Sequence, residues 1–314
     1  MDENVRRSYY FRREEFLRSQ EPLRSNAILL ITKMLDWSNQ NPGSKHLVDE
    51  MLHSIFFLGR VNNVPYTPES IIPDKDMLEA LEDKYPKPFQ CYSSQLPKRS
   101  PFSCVLDMII LQERQDEVKI RNSLKKLINS LDADFLVSNT ACVTSCQKTN
   151  KKYYGVSMST TGPNPGKIVI AASCCSVWDD YVAGAVMTYY PEKVKKPYFD
   201  GTINLPDKVS CEAFNIKNLS PLPPCKSCGN LFGLKTSATR EWPYGNCAEV
   251  ESVSNMLKVE EEVKRKAKPT SPTYTPENRA KAKDSLMKVL KKVLNMVHFK
   301  WSGEFYIPQN THSG

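Results

Sequence analysis

Residues 152–174, KYYGVSMSTTGPNPGKIVIAASC, decide the fold class on a first reading. The stretch has two short runs rich in aromatic and β-branched residues, 152–160 and 167–174. Between them stands TGPNPG (161–166), six residues of turn formers. Apolar runs of this length bounded by Gly, Pro and Asn predict a pair of strands joined as a hairpin. The chain is therefore expected to be α/β, with a sheet that starts here.

Working outward, SVWDDYVAGAVMTYY (176–190) predicts a helix ended by Pro191, and VSCEAFNIK (209–217) a third strand. PLPPCKSCGNLFG (221–233) follows at once. WPYGNCAEVESVSNML (242–257) opens a further helix, expected to run from Cys247 to about Lys266. Upstream, RRSYYFRREEFLRS (6–19), LRSNAILLITKMLDWSN (23–39) and SKHLVDEMLHSIFFLGR (44–60) repeat apolar residues at three- and four-residue spacing, the period of a helix. Residues 60–100 read as Pro-rich and irregular around one short acidic helix, DMLEALEDKY (76–85), and helical pattern returns over 105–131. KPTSPTYTPE (268–277) reads as a linker. Four stretches result: a helical region over 1–130, an α/β core over 131–266, a Pro-rich linker over 267–279 and a basic amphipathic helix with its tail over 280–314.

Composition narrows the class. An apolar fraction of 40% with 25% charged residues is ordinary for a globular protein. The longest apolar run, KIVIAASCCSVW (167–178), is too short to span a bilayer. MDENVRRSYYFRREEF (1–16) has no apolar stretch of the kind a secretory signal needs. Ten cysteines in that setting are expected to be reduced thiols of a cytoplasmic protein, a nuclear one remaining open. The net charge of +8 is concentrated: residues 263–300 hold eleven Lys or Arg against Glu277 and Asp284, a net +9, which leaves −1 for the rest. In that segment Leu286, Val289, Leu290, Val293, Leu294 and Val297 form one stripe with Lys288, Lys291 and Lys292 off it. The stripe fits a helix docked on a core or a protein partner; the lysines also suit nucleic-acid phosphates or an anionic membrane surface.

The cysteines carry the chemistry. Cys225 and Cys228 form a CxxC directly after two prolines, a spacing that lets two thiolates of one turn reach a single zinc ion at about 2.3 Å. The plain alternative is two buried thiols beside a turn. Cys142 and Cys146, at CxxxC spacing in a polar stretch, are expected to be structural and exposed, and Cys174-Cys175 to pack at a strand end. Of the four histidines, His46, His53, His298 and His312, none lies in the β-rich region, so a third ligand is expected to be a thiolate, with Cys247 best placed. Three protein ligands leave a position for water, the arrangement of a catalytic site. Glu249, at the same helix start, stands where free N–H groups and the helix dipole favour negative charge.

Pro-Pro-Cys225-Lys-Ser-Cys228 and Cys247-Ala-Glu249 resemble the two signatures of the zinc-dependent deaminase superfamily, PCxxC and (H/C)AE. The three-cysteine set is similar to that of free-nucleoside cytidine deaminases, and PYGNCAEVES to toxin-type bacterial deaminases. The resemblance covers about residues 130–266. It implies a three-layer α/β/α core with a mixed sheet, Zn²⁺ held by Cys225, Cys228 and Cys247, and Glu249 moving the proton of an activated water during attack on a base. The order departs from the family's, in which CAE precedes PCxxC; here it follows by nineteen residues. Two placements fit. Either the zinc helix is relocated, or Cys175 is the third ligand and Asp179 replaces the acid.

Two functions from different classes follow. The first is a hydrolytic deaminase acting on a nucleobase, nucleoside, nucleotide or polynucleotide. The second is a catalytically inactive, zinc-stapled interaction module, with the helical region and the basic tail recruiting partners. A cysteine-nucleophile enzyme fits poorly, since no histidine lies nearby to act as base.

Overall fold

The structure, a computed structural model, describes residues 21–132 and 135–309. The expected helix over 6–19 and His312 lie outside the described residues. The chain begins with α1 (Glu21–Gln40) and α2 (Lys45–Arg60), whose apolar stripes are buried against each other. Residues 60–100 are more regular than their proline content suggests. Prolines and an Asp start three short helices, α3 (Pro68–Ile71), α4 (Lys75–Lys84) and α5 (Pro86–Cys91). Proline suits the first turn, where no N–H is needed. The pattern over 105–131 splits into α6 (Pro101–Gln112) and α7 (Glu117–Ile128), with Asp116 capping the second through the Lys119 N–H.

The sheet departs from expectation in its membership. β1 is Thr140–Cys146 and pairs antiparallel with β2, Lys152–Val156. Residues 167–174 are not a strand: they belong to α8 (Pro163–Ser176), which begins inside TGPNPG. Pro163 and Pro165 sit in its first turn, where their fixed φ favours the helix. Ile168 to Ser173 are buried all round, so the segment shows no polar face and its period is illegible. The supposed hairpin is therefore a strand followed by a helix. The expected exposure of Cys142 and Cys146 is likewise overturned, since both are buried in β1.

After α9 (Asp180–Tyr189) come β3 (Val209–Asn215) and the two-residue β4 (Pro221–Leu222). Spatial order is β2-β1-β3-β4 and every pairing within the sheet is antiparallel, where a mixed sheet was expected. Then follow α10 (Lys226–Phe232), α11 (Ala248–Leu257), α12 (Glu261–Lys266) and α13 (Pro276–Met296). The helix expected over 247–266 thus breaks near residues 258–260.

Two helices flank the sheet. α11 lies on one face: Thr144 and Ser252 hydroxyls bond at 2.8 Å, Asn255 Nδ2 donates to the Tyr154 carbonyl, and the Val156 N–H donates to Glu251. Gly155 makes this approach possible. A Cβ there would come within 2.4 Å of Ser252 N and 2.5 Å of the Ala248 carbonyl. On the other face, Arg121 of α7 stacks over Phe214 at 4.0 Å and Glu117 pairs with Lys152 at 2.5 Å. α13 docks on α8 and α9 through Leu286, Leu290, Val293 and Leu294, each fully buried and contributing about 1.5–3 kcal/mol. Its lysines at 281, 283, 288, 291 and 292 remain exposed. Among the described residues no helix is long and apolar enough to cross a membrane.

Candidate metal centre

Two helix starts meet at one point. Cys225 caps α10 and Cys228 lies in its first turn, positioned by Pro223 and Pro224 at the exit of β4. Cys247 caps α11. The connection between the two helices turns back on itself and is pinned along its length. Lys226 N donates to the Arg240 carbonyl (3.0 Å), the Ser227 hydroxyl to the Trp242 carbonyl (2.7 Å) and the Thr236 hydroxyl to the Pro224 carbonyl. The Tyr244 ring stacks on Tyr189 at 3.9 Å, and the Tyr244 hydroxyl accepts a hydrogen bond from Asn230. Gly245, at φ +102°, completes the turn where a side chain would strike Ile170. The Met158 N–H then holds the Asn246 carbonyl at 2.9 Å. Cys247 is thereby delivered beside the CxxC.

The resulting geometry suits one tetrahedral ion. Sulfur of Cys225 lies 3.6 Å from that of Cys228 and 3.4 Å from that of Cys247, and all three fall within 4.8 Å of one another. Four ligands at about 2.3 Å in a tetrahedron place sulfurs roughly 3.8 Å apart, so the donor set fits zinc with little movement. Hydrogen bonding with the Cys228 and Cys247 thiols, helped by the N–H groups of Cys228 and Ser227, holds Cys225 far below the usual thiol range. The same contacts, with burial, push Cys228 and Cys247 up. Thiolates are the form that ligates, so binding of a cation here would release protons from the cluster.

Beside the sulfurs opens a cavity of about 510 Å³. Glu249 lines it, 4% exposed, and burial pushes its carboxyl up, with the Cys225 thiolate adding to the effect. The structure therefore brings together Cys225, Cys228, Cys247 and Glu249. It does not bring in Cys175: that sulfur lies in α8, 3.8 Å from Met287 of α13. Asp179 caps α9 and pairs with Lys264 at 2.7 Å. The placement with Cys175 and Asp179 is overturned, because α8 is a helix packed on α13 and not a strand leading to the site.

Among the lining residues that the sequence reading did not single out are Asn139, Met158, Arg240, Trp242 and Asn246. Trp242 and Asn246 stood in the motif stretch and could have been singled out by proximity to Cys247. Asn139 and Met158 were illegible, since they flank β1 and β2 at ends that only the true pairing defines. The side chains of Asn139 and Asn246 make no hydrogen bond to other described residues, so each offers the cavity a donor and an acceptor. Comparison of the chain with family models, curated proteins and solved structures returned no match in any of the three.

Proposed function

We propose that the chain is a zinc-dependent hydrolytic deaminase acting on a nucleobase, free or within a nucleoside, nucleotide or polynucleotide. One observation carries the reading: of three thiols within 4.8 Å of one another, two, Cys225 and Cys247, line a cavity together with the buried carboxyl of Glu249. Cys225, Cys228 and Cys247 would hold the ion. When bound, zinc with three protein ligands supplies Lewis acidity and an activated water. Glu249 sits two residues past the Cys247 ligand, inside the same wall, and accepts and returns a proton there. Burial raises its proton affinity, which suits a group that must both take and return a proton. Asn139 and Asn246 orient a base edge through their free amides, and the 510 Å³ volume accommodates such a ring.

The placement of α11 and α7 on opposite faces of the sheet supports a deaminase-like three-layer core. The reversed motif order is reconciled by the α10–α11 connection, which brings CAE to CxxC from the later side of the chain. A second reading, a zinc staple in an interaction module, draws on α13, whose exposed lysines have no carboxylate partner among the described residues. The deciding experiment is metal analysis of the purified chain with a screen of nucleosides, nucleotides and single strands, repeated on Glu249→Gln. Bound zinc with deamination abolished by Glu249→Gln supports the enzyme. Bound zinc without any deamination in the unmodified chain supports the staple, and a metal-free chain overturns both.

A further inference from the structure

The rim of the cavity carries an arginine with no carboxylate partner among the described residues. Arg240 and Trp242 line the opening together, and the Arg240 guanidinium carbon lies over the Trp242 indole, 3.8 Å from the ring centroid. Stacking uses the planar face of the guanidinium and leaves its N–H edge free. That edge donates to no other described residue, and Arg240 takes part in no ion pair among them. The neighbouring acid explains why. Glu241 is engaged by Lys226 at 3.1 Å and by the Tyr244 hydroxyl, and makes no ion pair with Arg240. Within the lining, the acidic groups are the Cys225 and Cys247 thiols and Glu249, all at the buried end. The cavity is thus polarised: its acid and metal-ligand groups lie deep, and a fixed cation stands at the mouth. Trp242 is itself 41% exposed, as a residue at the opening should be.

We infer that this rim recognises a phosphate group, so that the substrate is a phosphorylated nucleoside and not a free base or nucleoside. The inference rests on the deaminase reading of the cavity. A base held at Glu249 by Asn139 and Asn246 directs its sugar outward toward the opening, where a phosphate meets the paired N–H donors of Arg240. Trp242 pre-orders the guanidinium, so little side-chain freedom is lost on binding. A mononucleotide and a nucleotide within a single strand present the same group, and the experiment separates them.

The full chain bearing Glu249→Gln, which prevents turnover, is titrated with the common nucleosides, their 5′-monophosphates and single-stranded oligonucleotides, following heat or tryptophan fluorescence. The expected result is that a phosphorylated form binds at least about tenfold tighter than its nucleoside, the worth of one charge-assisted contact. Arg240→Ala removes that preference, and Arg240→Lys restores part of it. Saturation by a monophosphate identifies a free nucleotide. Binding by oligonucleotides alone, weakening with salt, identifies a single strand. Nucleosides binding as tightly as their phosphates, or a preference that survives Arg240→Ala, overturns the phosphate inference and leaves the deaminase reading standing wherever a nucleoside is deaminated. Binding of none of these probes overturns the inference together with the substrate class proposed for the cavity.

Discussion

Two of the buried clusters of ionisable side chains are built in opposite ways. One is the thiol cluster with Glu249, at the junction of two helix starts and open to a cavity. The other joins Asp49 and His53, one turn apart on α2, to Tyr306 near the end of the described chain. There the Tyr306 ring stacks on His53 at 3.8 Å and its hydroxyl donates to Asp49. Carbonyls of Cys91 and Gln95 lie near the imidazole, but neither closes to hydrogen-bond geometry, so both ring nitrogens are unpartnered. His53 and Asp49 are wholly inaccessible. The comparison teaches that buried polarity alone does not identify a site. Chemistry needs convergent groups that a reactant can reach; a closed nest ties segments together, here the C-terminal residues to α2.

The largest effect expected is at Glu249. Glu249→Gln should reduce deamination by about 10²–10⁴-fold, the usual worth of general acid–base catalysis, with zinc content and melting temperature nearly unchanged. An unfolded variant, or one of full activity, would move Glu249 from the open cluster into the structural class. Cys247→Ser sharpens the same contrast: it should lose zinc, measured by elemental analysis, and lose activity with it. Chelation of the unmodified chain should lower its melting temperature, because the ion ties α10 to α11.

Gly155→Ala tests whether α11 must touch the sheet for the site to form. Its added methyl meets backbone atoms of Ala248 and Ser252 below 3 Å, so the helix must move. A loss of about 1–3 kcal/mol by denaturant titration is expected, with weakened metal retention. Retention of both would show that Cys247 is placed by its preceding loop alone.

The last effect belongs to the closed nest and is read in stability alone. Burial holds the His53 imidazole neutral down to about 3, against an ordinary 6.5. Its folded-state value is the lower one, so on acidification the unfolded chain takes up the proton first. The stability His53 permits is therefore full above 6.5 and is lost as pH falls from 6.5 toward 3. The slope reaches up to about 1.4 kcal/mol per pH unit. Asp49 works in the opposite sense, since burial raises its carboxyl above 3.8 and its contribution declines as pH rises. Comparing stability of His53→Gln with the unmodified chain between pH 7 and 4 isolates the histidine. The variant's profile should be flatter, and parallel profiles would remove His53 from the account.

Much of the helical part was legible because its stripes are one-sided. Leu23, Leu30, Ile31 and Met34 fall on a single buried face of α1, and Leu286, Leu290 and Leu294 on one face of α13. A solvent-facing side keeps the period visible. The sheet was misread for the converse reason. α8 is covered by α9 and α13 and shows apolar residues in every direction, so IVIAAS imitated a strand. TACVTSC (140–146) looked like an exposed polar stretch because its buried side chains are small and polar, as contact with α11 requires. Thr144 bonds to Ser252, and Cys142 lies within 3.4 Å of the Cys211 sulfur.

By itself the sequence determined the chemical inventory: a CxxC after two prolines, a Cys-Ala-Glu at a helix start, no histidine nearby, and a basic tail helix with one apolar face. These follow from local spacing, which backbone geometry converts directly into side-chain directions. Only the tertiary structure decided that Cys247 meets Cys225, that β1 and not residues 167–174 pairs with β2, and that Arg240 and Trp242 stand at the cavity mouth. The reason is range. Each of those outcomes depends on contacts between residues far apart in the chain, made through a loop whose path is set by hydrogen bonds and ring stacking that no local period encodes.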